Sequence, residues 1–290
     1  MRPVMREEYV LITPARNEEV CLEQTIAAVL AQSILPGRWI IVSDGSVDRT
    51  DEIAAQYARS HSFIRLLRAP AHRHRDFGGK ARAFQVGYDQ ISDTEYGFVG
   101  NLDADVSFGP DYYEQVLERF HANPNLGVAG GVICVRIKDR FVPQRISLNS
   151  VAGAVQLFRR RCFEEVGGYI PMKGGGIDAA AEIIARMHGW TVQTFLDIPV
   201  YHPRRVSTGK ATIFSTRFHQ GVTNYLLGYH PLFQLVSALY RVVDRPYVIG
   251  SALVLLGYGW SCLRRYQRPV PEEVVHFLRS EQRARLVSMG

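Results

Sequence analysis

Two carboxylates one residue apart, Asp103 and Asp105 in Asn101-Leu102-Asp103-Ala104-Asp105-Val106, carry the strongest chemical signal in this chain. They follow a short apolar run, Tyr96 to Val99, that reads as a buried strand. If the strand continues to Leu102, alternation points both carboxylates to the same side, where the strand ends. Side by side they repel, and burying them unpaired is costly. A hard divalent cation, Mg²⁺ or Mn²⁺, removes both problems, because it favours carboxylate oxygens and keeps positions free for substrate phosphates. An Asp-rich turn leading into the Ser107–Pro110 loop is the plainer alternative, since D-x-D is a short pattern.

Three further stretches hold chemistry. In Thr13-Pro14-Ala15-Arg16-Asn17-Glu18-Glu19, a loop after the first strand can cradle a nucleotide base, with Glu18 accepting from a ring N–H. A helix start with acidic residues at its N-terminal dipole is the alternative. In Ser43-Asp44-Gly45-Ser46-Val47-Asp48, Asp44 is placed to bind the base and Gly45 to turn the backbone, while Asp48 reads as a helix-initiating residue. Gly78-Gly79-Lys80 opens a helix, where a lysine and backbone N–H groups form an anion site suited to a diphosphate. It is not a P-loop, because the spacing differs and no Ser or Thr follows the lysine. The preceding His72-Arg73-His74-Arg75 reads as a basic loop that closes over phosphates rather than a metal site.

The elements that must position these groups alternate. Tyr9–Thr13, Trp39–Ser43, Phe63–Leu67 and Tyr96–Val99 are strand-length apolar runs, the first closed by Pro14. Between them Leu22–Leu30, Thr50–Ser60 and Lys80–Ile91 have helical spacing. This order predicts an α/β fold, an open, mostly parallel sheet with helices on both faces and ligands beyond the carboxyl ends of its strands. Asp44, the Asp103/Asp105 pair and the Pro14–Glu18 loop all fall at that end. Further on, Asp111–Ala122 reads as a helix and Leu126–Ile137 as a strand with a bulge at Gly130-Gly131. Arg160–Val166 is a short helix stopped by Gly167-Gly168. Ala179–His188 is another, with Asp178 as N-cap. Val192–Phe195 and Val200-Tyr201 are extended. Asp178 and Glu182 lie one turn apart and share a face.

With 290 residues, 47% of them apolar, the chain can bury a large core without disulfide staples. Cys21, Cys134, Cys162 and Cys262 form no metal or disulfide framework, which suits a reducing compartment. Residues 1–8 lack a signal-peptide core, so a cytoplasmic location is expected. The net charge of +6 sits mostly in the second half, a face for phosphates or anionic lipid, and no nucleic-acid-binding signature accompanies it. Residues 1–203 read as one catalytic domain and 204–290 as a helical, partly apolar extension. Gln220–Tyr240 and Pro246–Leu263 carry no Asp, Glu, Lys or Arg. As a helix the latter reaches about 27 Å, marginal for a bilayer core, so an interfacial or protein-packed helix is expected over a spanning one. Its basic flanks suit the inner face of a plasma membrane.

Taken in order, these stretches resemble the inverting family 2 glycosyltransferases of the GT-A fold. The likeness rests on Pro14–Glu18, Asp44-Gly45-Ser46-x-Asp48-x-Thr50, Gly79-Lys80-x-x-Ala83, Asp103-x-Asp105 and Leu157–Arg160 through Val166-Gly167-Gly168-Tyr169. It covers roughly residues 9–203, and Gly228–Phe233 is similar to bacterial members linked to exopolysaccharide assembly. The resemblance implies a nucleoside-diphosphate sugar donor and a saccharide or lipid-linked saccharide acceptor. It implies that Pro14, Ala15, Arg16, Glu18 and Asp44 hold the nucleoside, Lys80 the diphosphate, Asp103 the ribose and metal, and Asp105 the metal, with His202 as a third ligand. The family's Glu-Asp doublet is missing from Ile177-Asp178-Ala179-Ala180-Ala181-Glu182. Aligned on Arg186, alanines stand at the doublet; aligned on the helix start, Asp178 does. Asp178 is then the favoured base and Glu182 the partner of Arg186. Two rival readings are a sugar-nucleotide nucleotidyltransferase, for which the glycine-rich loop is lacking, and a non-catalytic subunit that keeps the fold.

Overall fold

The computed structural model describes residues 8–69, 77–144, 147–172, 174–203, 213–243 and 246–288. Two compact units result: residues 1–169 with 177–206, and residues 170–176 with 207–290. The basic run His72–Arg75 and the pair Arg204-Arg205 lie outside the described residues.

The first unit begins with β1 (Tyr9–Ala15), α1 (Leu22–Leu30), β2 (Arg38–Ser43), α2 (Thr50–Ser60), β3 (Ile64–Arg68), α3 (Phe77–Tyr88) and β4 (Phe98–Asn101). The helical crossovers return each strand in the same direction, so β1 pairs in parallel with β2 and β4, and β2 with β3. Alternation then divides the side chains. Leu11 and Ile41 join Leu22 and Ile26 of α1 in one core, whereas Ile12 and Val42 face α3, where a side chain on Gly87 would strike both. Helices therefore cover both faces.

The sheet continues through β5 (Ser107–Phe108), α4 (Tyr112–Ala122), β6 (Leu126–Ile137), β7 (Arg140–Pro143), β8 (Leu157–Arg159), α5 (Arg160–Val166), α6 (Ile177–Met187) and β9 (Thr191–His202). Its order is β3-β2-β1-β4-β8-β6-β9-β5, with β7 on β6. Strand β8 runs antiparallel to both β4 and β6, while β6 and β9 are parallel, which makes the sheet mixed, with its first four strands parallel.

Several boundaries differ from the expected ones, each for a local reason. β1 runs through Pro14 to Ala15, because β4 pairs it only as far as Ile12 and beyond that point only β2 flanks it. Val192–Phe195 and Val200-Tyr201 are parts of one strand. Its register jumps from Gly131↔Phe195 to Val132↔Pro199, and a Cβ on Gly131 would lie 2.2 Å from the Ile198 carbonyl oxygen, so the bulge requires glycine. α5 ends as expected at Gly167, in the left-handed region with φ 75°. α6 starts at Ile177, so Asp178 lies inside its first turn and not at the cap.

The second unit holds α7 (Ile213–Leu226), α8 (Pro231–Tyr240), α9 (Tyr247–Leu263) and α10 (Glu272–Ser288). α7 and α9 touch through their backbones. A Cβ on Gly221 would lie 2.0 Å from the Val254 carbonyl oxygen, and one on Gly257 2.1 Å from that of Phe218. Proline at the first turn of α8 and the His230 ring, accepting from the Leu232 N–H, start that helix. No described helix is long and apolar enough to cross a membrane.

Candidate active site

The loops after β1 and β2 are latched to each other by side chains. Asn17, with φ 57°, accepts from the Val47 N–H, and its own N–H donates to the Ser46 hydroxyl. The Glu18 N–H donates to Thr50 Oγ1 at 2.8 Å and the Glu19 N–H to Asp48 Oδ2 at 3.1 Å. Asp48 also accepts from the Thr50 N–H at 3.0 Å, the helix-starting role its position suggested. Some desolvation raises the Asp48 carboxyl, but the hydrogen bonds from Thr50 and Glu19 outweigh it and lower its pKa. This latch fixes the ground beside Asp44. That residue is 8% exposed; Arg16 approaches its Oδ2 at 3.6 Å, and its buried Oδ1 has no partner. A buried carboxylate oxygen without a donor is unfavourable unless a ligand supplies one. Ala15 is buried beside it, and Pro14, Arg16 and Glu18 are part-exposed.

After β4 the regular strand stops at Asn101, yet the alternation persists. Leu102, Ala104, Val106 and Phe108 are buried, and Asp103, Asp105 and Ser107 between them are part-exposed. Both carboxylates thus emerge from the core just beyond the strand's end. They are used differently. Asp103 Oδ1 pairs with Lys80 Nζ at 2.5 Å, from the first turn of α3. Asp105 Oδ2 lies 3.4 Å from Nε2 of His202, at the end of β9, whose buried Nδ1 has no partner. Among the described residues no three His, Cys, Asp or Glu side chains converge as a ready metal cage. Asp105 and His202 still offer one oxygen and one nitrogen donor at a single spot, a set suited to Mn²⁺ or Mg²⁺ with substrate oxygens filling the remaining positions.

One glycine joins the rest. The Gly153 carbonyl accepts from Lys80 Nζ at 3.2 Å and from the Asn101 side-chain amide. On its other side a Cβ would stand 2.7 Å from Asp178 Oδ2, so the Asp178 carboxylate lies directly against Gly153. The Asp103 N–H donates to the neighbouring Ala154 carbonyl at 2.9 Å. Lys80, Asp103 and Asp178 therefore meet around the loop between β7 and β8.

Glu182 holds that loop from beneath. Its carboxylate accepts from the Val151 N–H at 2.7 Å, Ser150 Oγ at 2.8 Å and Gln156 Nε2 at 2.8 Å. Gln156 in turn accepts from the Tyr169 hydroxyl at 2.8 Å. The expected pairing of Glu182 with Arg186 is corrected: among the described residues the carboxylate is spent on the loop. Glu182 is 3% exposed, and burial, with Asp178 nearby, pushes its pKa up to about 7 against those hydrogen bonds. Burial likewise lifts the Tyr169 phenol well above its ordinary range. Ala180 and Ala181, between Asp178 and Glu182 on α6, are buried. Asn101, Gly153 and Gln156 carry no role in the sequence reading, and Tyr169 enters it only as the end of the Val166–Tyr169 stretch. Asn101 immediately precedes the acidic pair and offered a weak signal. The other three have meaning only once the loop is folded.

A mixed α/β sheet with acids beyond the carboxyl ends of β2 and β4, and a lysine at the start of α3, defines the GT-A class of sugar-transferring folds. The family model described as Glycosyl transferase family 2 matches residues 10–177. The chain belongs to that family and is a glycosyltransferase. It is 28% identical over 170 residues to poly-beta-1,6-N-acetyl-D-glucosamine synthase of Staphylococcus epidermidis, covering 52% of this chain and 39% of that protein. The chain thus spans about two fifths of the length of such curated relatives. Two solved structures share the fold. A mannosyltransferase from Pyrobaculum calidifontis, in complex with GDP-Man and Mn²⁺, aligns with TM-score 0.58 at 15% identity over 99% of this chain and 77% of its own. S. aureus TarS in complex with UDP-GlcNAc aligns with TM-score 0.58 at 14% identity over 92% and 82%. Family membership sets aside the nucleotidyltransferase reading.

Proposed function

We propose that the chain is a metal-dependent, inverting enzyme of cell-surface polysaccharide synthesis. It moves a sugar from a nucleoside-diphosphate donor to a hydroxyl of a saccharide or lipid-linked saccharide. The observation that carries this is the meeting of a phosphate-type cation, Lys80, with the carboxylates Asp103 and Asp178 around Gly153. The synthase among the relatives and the nucleotide sugars and Mn²⁺ of the structural neighbours support the substrate and metal classes. On this reading the enzyme works in the cytoplasm, where nucleotide sugars are made.

Asp44 supplies the nucleoside with an acceptor, its unpartnered Oδ1, framed by Pro14, Ala15, Arg16 and Glu18. Asp103 orients Lys80, which neutralises the departing diphosphate. A divalent cation would be held by Asp105 and His202 and, when bound, would supply further positive charge to the leaving group. Asp178 takes the proton of the acceptor hydroxyl as its oxygen bonds to the anomeric carbon. The carbon–oxygen bond to the diphosphate breaks on the opposite face, and one displacement inverts the configuration. Glu182, buried and saturated with hydrogen bonds, positions the loop rather than reaching substrate.

A thermal-shift screen of UDP- and GDP-sugars with and without Mn²⁺ tests the proposal. At a hundredfold excess over Kd a true donor adds about 2.7 kcal/mol of stability. We expect a Mn²⁺-dependent rise with one of them that Asp44→Ala removes. No rise with any nucleotide sugar in the presence of Mn²⁺ would count against the donor reading.

A further inference from the structure

Helices α8 and α9 are built inside out. On α9 the buried positions are Gly250, Ser251, Gly257 and Ser261 with Val254 and Tyr258, while Val248, Leu256, Trp260 and Leu263 face outward. Ser261 is 0% exposed and Leu263 77%. On α8, Gln234 and Ala238 are buried whereas Leu232, Leu235 and Leu239 are exposed, at a spacing that places them on one helix face. Single exposed leucines are ordinary on a protein surface. A helix that turns its polar residues inward and its leucines outward is not, because water favours the reverse.

Charge surrounds this face without entering it. Arg241 follows α8, and the exposed Arg264 and Arg265 follow α9. The Arg264 guanidinium stacks over Trp260, 4.6 Å from the ring centroid. An Arg–Trp pair at the end of an apolar helix is suited to the headgroup level of a bilayer. The described residues between 213 and 271 include no Asp or Glu, so the described charge bounding this face is basic. α9 has 17 residues, about 26 Å of helix, shorter than the roughly 30 Å of a hydrocarbon core.

We propose that the outward faces of α8 and α9 dock in the plane of an anionic membrane, leucines and Trp260 in the acyl boundary and the flanking arginines on lipid phosphates. This surface needs neither the donor nor the metal of the catalytic unit. Flotation with vesicles of phosphatidylcholine, alone or mixed with phosphatidylglycerol, tests it. The chain should bind the mixed vesicles at least tenfold better than neutral ones, and Trp260 should be quenched by brominated lipid. Leu256→Glu with Leu263→Glu, at exposed positions, should lose that binding at least tenfold with an unchanged melting temperature. Arg264→Ala with Arg265→Ala should weaken binding to the mixed vesicles alone. The proposal is overturned if the unmodified chain binds no vesicles. It is equally overturned if brominated lipid leaves Trp260 unquenched, or if the face proves to hold a dimer that Leu256→Glu dissociates.

Discussion

Two stretches of this molecule, one in each unit, sort polarity in opposite directions. Beyond β4 the rule is that of water: Leu102, Ala104 and Val106 turn in, and Asp103 and Asp105 turn out. In α8 and α9, Gln234, Ser251 and Ser261 turn in, and Leu239, Leu256 and Leu263 turn out. Hydrophobic periodicity reports which face differs from the other, not which solvent that face meets. On the two proposals above, the first stretch meets an aqueous, charged substrate and the second an apolar surface.

If the acidic edge of the first unit is a working site, the largest loss should come from Asp105. Asp105→Ala should reduce transfer by about 10³-fold or more, measured as released nucleoside diphosphate with Mn²⁺ present. Turnover near the unmodified rate would show that the outward aspartates are no more than a solvated turn. Next comes Asp178. Asp178→Asn should lower kcat by about 10²–10⁴-fold and leave donor binding intact, as expected when a proton acceptor is lost. Full transfer by this variant would remove the base from α6 altogether, since Glu182 is buried and hydrogen-bonded.

Much of this first unit was legible because parallel βα units write their order into the sequence. Apolar runs of strand length alternate with helical stripes, and ligand-binding residues fall where strands end. Asp44, Lys80 and the Asp103/Asp105 pair could be placed on that logic alone. The Gly153 loop could not. Its carbonyl serves Lys80 and Asn101 while its Cα abuts Asp178, a role set by backbone position and shared by no residue type. The role of Glu182 was hidden for a related reason. The family comparison offers it Arg186 one turn on, but the fold brings three donors from residues 150–156 to its carboxylate instead. In the second unit the charge-free runs pointed to an apolar role. Which residues face out depended on the glycine contacts between α7 and α9, which only the packed helices reveal.

Glu182, like Asp44, departs from the rule seen beyond β4 as a titratable acid turned inward, and its raised pKa exposes it to a pH test. Its pKa is pushed from 4.5 up to about 7 by burial. The folded protein therefore keeps a proton that the unfolded chain releases near the ordinary carboxylate value. Stability from this group is fully present below the unfolded pKa and is lost as pH rises through the folded one, by up to about 3 kcal/mol. Between about pH 5 and about pH 8, the unmodified chain should lose stability relative to Glu182→Gln, which has no proton to release. Parallel denaturant curves for the two at both pH values would show it. Identical pH dependence would mean that the hydrogen bonds from Val151, Ser150 and Gln156 suffice to keep the carboxylate ionised.

The smallest effect concerns the inward polarity of the second unit. If the buried serines of α9 are there for their size, letting backbones approach as Gly257 does, their hydroxyls should matter only where they are bonded. The Ser261 hydroxyl donates to the Gly257 carbonyl at 2.8 Å, whereas the buried Ser251 hydroxyl has no partner. Ser261→Ala should therefore cost about 0.5–1.5 kcal/mol, and Ser251→Ala should be neutral or stabilising by up to about 1 kcal/mol, because it removes an unsatisfied polar group. Urea denaturation of the two variants beside the unmodified chain separates these outcomes. Equal losses at both positions would give the Ser251 hydroxyl a bonding role, and the inward face of α9 would then be polar for its chemistry and not for its size.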